Sequence, residues 1–182
     1  MEAHADLSKA FSIESVEDLR EAFKAALDAA RSEPDLFRPA TVESAGREVI
    51  SARLDEVSEL GRSIYDPYDN EALHKLRIAA KRLRYAIELF AACLGDALVP
   101  FAKEVSKLQS RLGEVHDCDV WIENLSKQLK KGQNVEGSSD HEAAMWLLSE
   151  FVKKRTKEYR SALGLWNEWE TSDFAERLRA AI

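Results

Sequence analysis

Leu73-His74-Lys75-Leu76-Arg77-Ile78-Ala79-Ala80-Lys81-Arg82-Leu83-Arg84-Tyr85-Ala86-Ile87-Glu88-Leu89-Phe90 is the stretch that decides the fold class of this chain. Leu73, Leu76, Ala80, Leu83, Ile87 and Phe90 recur every three or four residues, which draws one apolar stripe along a helix. Asp69 or Asn70 supplies an N-cap just ahead of it, and Gly95 a stop just after it, so the spacing predicts a helix over 71–93. No β-alternation interrupts this pattern, and only seven Gly and four Pro break the 182 residues.

The same reading extends outward. Residues 1–11 read as a flexible tail ahead of a single α-helical domain over 12–182. Ser15 and Asp18 have capping-box spacing for a helix to about residue 32, and Pro34 and Pro39 mark residues 33–41 as a linker. Thr41 caps a helix to about residue 63, and Asp66-Pro67-Tyr68-Asp69-Asn70 is a turn. After Gly95 the pattern predicts a helix over 96–114, with Gly113 permitting close backbone approach or a break, and a new helix from Asp117 or Asp119 to 131. A polar loop over 132–139, a long helix over 140–169 and a short one after Ser172 complete the chain. The expected fold is all-α, an antiparallel helical bundle of about five to seven helices.

Charge carries the functional information. The chain is acidic, −7 overall, yet the segment from Leu73 to Arg84 holds five Lys or Arg and no acid, so the remainder carries −12. His74, Arg77, Lys81 and Arg84 follow the apolar stripe at the same spacing and fall within an arc of about 80°. Lys75 and Arg82 lie on the opposite flank. Like charges one turn apart repel by a few tenths of a kcal/mol per pair, so helix stability does not explain the run. An anionic ligand does, because guanidinium forks and a lysine engage phosphate oxygens. Lys103, Lys107 and Arg111 form a second stripe at i, i+4 and i+8, expected to face the first across a groove.

From these residues the chain resembles the CHAD family, the conserved-histidine α-helical domains. The resemblance rests on Leu73-His74-x-Leu-Arg77-Ile-Ala-Ala-Lys81-Arg82-Leu-Arg84-Tyr85, then Glu88-Leu-Phe90, then Leu112-Gly113-Glu114-x-His116-Asp117-x-Asp119-Val120. It implies a fold of two similar bundle halves with basic residues converging on a central pore or groove, and binding of inorganic polyphosphate; the shortage of carboxylates beside the basic stripe adds the expectation that the chain is not an enzyme. The resemblance implies ligand-facing or signature roles for His74, Arg77, Lys81, Arg82 and Arg84, with His116, Asp117 and Asp119 in support. The family carries its His-Arg-Lys signature twice. This chain has one good copy, resembling the second half, which implies a half-site or an assembly of two chains.

Other readings have weaker support. A nucleic-acid-binding module is the main alternative, although no aromatic row interleaves with the cations. A metal-dependent phosphohydrolase would need a carboxylate cluster, for which only Glu114, Asp117 and Asp119 are candidates. Glu71 and His74 have the Glu-x-x-His spacing of di-iron bundles but lack the second motif. No metal or cofactor is therefore expected. Cys93 and Cys118 are expected to be buried free thiols. With neither a leader pattern nor an apolar run of about 20 residues, the expected location is the cytoplasm, in association with polyphosphate granules where the resemblance holds. Trp146, Leu147, Phe151, Trp166 and Trp169 supply apolar surface for either the monomer core or a homodimer contact.

Overall fold

The computed structural model describes residues 41–130 and 139–182. The expected tail, the helix from Ser15, the linker and most of the 132–139 loop lie outside the described residues. Five α-helices and no strand are found among those described: α1 (Val42–Leu60), α2 (Asn70–Leu94), α3 (Val99–Lys130), α4 (Ser139–Thr171) and α5 (Phe174–Ala181). They belong to one unit, Val42–Ile182.

Local chemistry sets the ends of α2 where the sequence places them. The Asp69 carboxylate accepts from the Ala72 N–H at 2.9 Å, satisfying one of the free donors of the first turn. Gly95 closes the helix at φ 109°, a left-handed value that favours glycine, and its N–H donates to the Ala91 carbonyl.

Gly113 behaves differently from expectation. It does not break the chain; α3 runs straight through it for 32 residues, about 48 Å at 1.5 Å per residue. An interior glycine costs a helix only about 1 kcal/mol relative to alanine. Here Leu112, Val115 and Cys118 are buried on either side of it, and that packing outweighs the local preference.

Consecutive helices pack as antiparallel neighbours. Arg82 on α2 reaches back to Glu56 on α1, the rings of His74 and His116 pair α2 with α3, and Arg111 and Arg155 pair α3 with α4. Ile50, Leu54 and Val57 of α1, the α2 stripe, and Val105, Leu108 and Leu112 of α3 share one core. Trp166 and Trp169 complete it, with Trp169 stacked on Phe174 of α5 at 4.0 Å between ring centroids. These two tryptophans therefore serve the monomer core. Cys118 is buried as expected, but Cys93 is exposed because it lies on the outer side of the last turn of α2.

The turn after α1 is fitted closely to this aromatic cluster. A Cβ added at Gly61 would lie 2.1 Å from Cζ2 of the Trp166 ring, which is itself buried. Gly61→Ala is expected to destabilise the fold by about 1–3 kcal/mol through overpacking, read as a lower midpoint in thermal or urea unfolding.

Candidate functional site: the basic face of α2

The stripe predicted on α2 forms one flank of the helix, beside the core and along the border with α3. At its N-terminal end the rings of His74 and His116 lie 4.3 Å apart, tilted by 42°. At its C-terminal end the Arg84 Nε donates to Gln109 Oε1 of α3 at 2.8 Å, and its Nη1 pairs with Glu88. The Arg84 guanidinium also lies 4.4 Å from the Tyr85 ring centroid, while Lys81 approaches the same ring at 5.7 Å. Arg77 and Lys81 occupy the middle of the flank, both half-buried.

The partners of these cations differ in an informative way. Lys75 pairs with Glu71, Arg82 with Glu56 of α1, and Arg84 with Glu88. Arg77 and Lys81 form no ion pair with any described carboxylate, although acids outnumber bases in the chain by 33 to 26. The Nε–H of Arg77 is moreover buried without an acceptor, and Nδ1 of His74 is buried without a partner. Arginine is a permanent donor, so an unmet buried N–H there carries a desolvation cost of about 1–3 kcal/mol. Burial, then the neighbouring His116 and then Arg77, holds the His74 imidazole below its ordinary pKa, which keeps it neutral.

The remaining predicted residues distribute over other surfaces. Arg82 faces α1 and is separated from the His74–Arg77–Lys81–Arg84 flank by its pair with Glu56. Lys103 lines a cleft with Glu88 and Ala91 of α2, on the same side as Arg84. Lys107 and Arg111 do not face α2, contrary to the expectation of a shared groove. They border α4 instead, where Arg111 pairs with Glu158 at 2.7 Å. The helical period identifies a common face but not the neighbour that face meets, and α3 has neighbours on two sides.

His116 joins the site directly through His74. Asp117 is exposed. Asp119 is not an N-cap, since α3 is continuous there. It binds Arg155 of α4, whose guanidinium also donates to the Pro67 carbonyl and to Asn70 Oδ1, both at 2.8 Å. This network ties the turn before α2 to the helices behind it, and so fixes the start of the basic helix.

Arg155 and Glu158 escaped the sequence reading. Their signal was present: on α4, Phe151, Arg155, Glu158, Ala162, Trp166 and Trp169 continue one row at three- and four-residue spacing. A charged residue inside an apolar row predicts a partnered buried charge. Glu158 is the one buried charged residue among those described.

The family model of the CHAD domain matches residues 1–126, more than half of the chain. This chain belongs to the CHAD domain family. The match takes in α1, α2 and most of α3, including His74, Arg77, Lys81, Arg84 and His116, and ends before α4. No curated protein and no solved structure matches the chain. In this CHAD domain α4 and α5 thus lie beyond the family match, while supplying Arg155, Glu158 and the tryptophans that brace the matched helices.

Among the described residues no helix is long and apolar enough to cross a membrane.

Proposed function

We propose that this CHAD domain binds a linear phosphate polyanion, inorganic polyphosphate, on the α2 flank formed by His74, Arg77, Lys81 and Arg84, with His116 and Lys103 at its borders, and that it does so without catalysis. The observation that carries this reading is the half-buried pair Arg77 and Lys81, which meet no carboxylate among the described residues while Lys75, Arg82 and Arg84 beside them each do. Phosphate oxygens would satisfy both, and a chain of them matches a row of cations spaced one helical turn apart. The non-catalytic part rests on the acids next to the signature. Asp119 is engaged by Arg155 and Glu114 by Lys154, so the two do not converge on a common metal position.

Salt dependence tests the reading. With three or four cations neutralised, log K should fall against log salt with a slope of roughly −2 to −3, or about 30-fold weaker binding between 50 and 200 mM salt. A flat response, or one abolished by chelator, contradicts a polyanion site.

Protons supply a second test. In the free protein His74 is held neutral, so a bound polyanion that favours the imidazolium must raise its pKa and take up a proton. Binding should therefore tighten as pH falls from neutrality, and His74→Ala should flatten that trend. The sign reverses for the ligand-free fold. Below about pH 6.5 the unfolded chain protonates this histidine more readily than the folded one, so its contribution to stability is lost on acidification. An undiminished pH trend in His74→Ala would remove His74 from the site.

A further inference from the structure

The distal end of the α3–α4 hairpin carries a small core and a large apolar surface. Beyond Cys118 the buried side chain of α3 is Leu125, and ahead of Glu158 that of α4 is Ala144. Trp121 and Phe151 stack at 5.6 Å with their planes 6° apart, yet Trp121 is 53% exposed, Trp146 64% and Leu147 39%. Leu147, Phe151, Lys154 and Glu158 follow one row of α4, and the last two pair with Glu114 and Arg111 of α3. The aromatic stack and the polar α3–α4 groove therefore form one continuous face.

We propose that this face is the contact of a homodimer, in which a second copy of the chain lays its own Trp121–Phe151 stack against the first across a twofold axis, completing a four-helix arrangement of two hairpins.

Two observations favour a second copy over another occupant. The first is charge. The polar part of the face carries Lys107, Arg111 and Lys154 against Glu114, Glu158 and Glu168, which balance. A strongly charged partner meets no net field there, whereas the same face turned on itself meets no net repulsion and finds opposite charges available for exchange. The second is area. The exposed parts of Trp121, Trp146 and Leu147 and the edge of Phe151 amount to roughly 400 Å² of apolar surface, within the range of about 300–600 Å² of a monomer's largest patch, which is often functional. A standard interface takes about 800 Å² from each partner, a little over half of it apolar, which is the same order.

This dimer keeps the basic face clear. Trp121 lies on the α4 side of α3, while His116 and Gln109 border α2, so pairing leaves both α2 flanks open. Polyphosphate affinity per chain is then independent of dimerisation, and the two properties fail separately.

Sedimentation velocity of the full chain over a wide concentration range decides the matter, with circular dichroism to confirm folding. Wild type should dimerise. Trp121→Glu and Leu147→Glu, at exposed positions, should each raise the dissociation constant by at least about 30-fold, because a carboxylate would be desolvated at the centre of the contact. Val120→Glu, equally exposed but one turn beyond His116 on the other flank of α3, should leave dimerisation unchanged. A wild type that stays monomeric overturns the proposal, whatever else covers the stack. So does a Trp121→Glu chain that dimerises as tightly as wild type, or a Val120→Glu chain that falls apart equally.

Discussion

Replacing Arg77 and Lys81 together with methionine should weaken polyphosphate binding by at least about 100-fold while leaving thermal stability unchanged or slightly raised. Each charged hydrogen bond to phosphate is worth about 1.5–3 kcal/mol, so two of them account for the loss even when they act less than additively. Methionine retains most of the aliphatic stem, so packing against the neighbouring turns survives. The stability forecast is what distinguishes a ligand site from a structural cation. Neither residue has a carboxylate partner among the described residues, the Arg77 Nε–H is buried unmet, and like charges recur along the helix. Their removal relieves repulsion and an unsatisfied donor. Arg84 would make a poorer probe, because Gln109 and Glu88 hold it and its loss would disturb the α2–α3 border. Wild-type affinity, or a clear drop in melting temperature, would contradict the assignment.

Arg155→Leu should act in the opposite way, destabilising the fold by about 3 kcal/mol, or roughly 6–12 °C in Tm for a chain of this size. The substitution strands the Asp119 carboxylate at 12% exposure and removes a donor from the Pro67 carbonyl and Asn70. A second change, Asp119→Leu, should restore much of the loss, since two apolar residues replace a pair whose desolvation nearly offsets its attraction. Both variants should bind polyphosphate with near wild-type affinity at temperatures where they are folded. Chemical denaturation of the single and double variants reads this coupling. Additive losses would mean that the two residues act independently.

The residues in those two predictions also mark where sequence was sufficient. α2 was legible from end to end because its cap, its stop and its apolar row are local signals that agree with the packing around them. The basic flank was legible for the same reason, since helical spacing alone groups His74, Arg77, Lys81 and Arg84. Gly113 misled because a local preference of about 1 kcal/mol was set against the burial of three neighbouring side chains. Lys107 and Arg111 were grouped correctly on a face but assigned to the wrong neighbour, a fact that depends on the order of helices around α3. The Arg155 network joins residues 36 to 88 positions apart, so no window of sequence contains it. Only the charged positions within the apolar row of α4 hint at it.

The exposed tyrosine at the edge of the basic flank gives nucleic acid its best argument as a rival ligand. Tyr85 is 49% exposed, but the Arg84 guanidinium already lies over its ring, and no further exposed aromatic residue continues the row along α2. A base-stacking platform needs such a series, whereas a bare phosphate chain needs only donors at regular intervals.

Competition between long-chain polyphosphate and a single-stranded DNA oligonucleotide of equal charge, each titrated against the full chain at several salt concentrations, tests the central claim most directly. The account predicts tighter binding of polyphosphate at every salt concentration, a linear fall of log K with log salt for both, and loss of the polyphosphate preference in the Arg77→Met, Lys81→Met variant. Equal or tighter binding of DNA, or a preference for polyphosphate that survives in that variant, would contradict it.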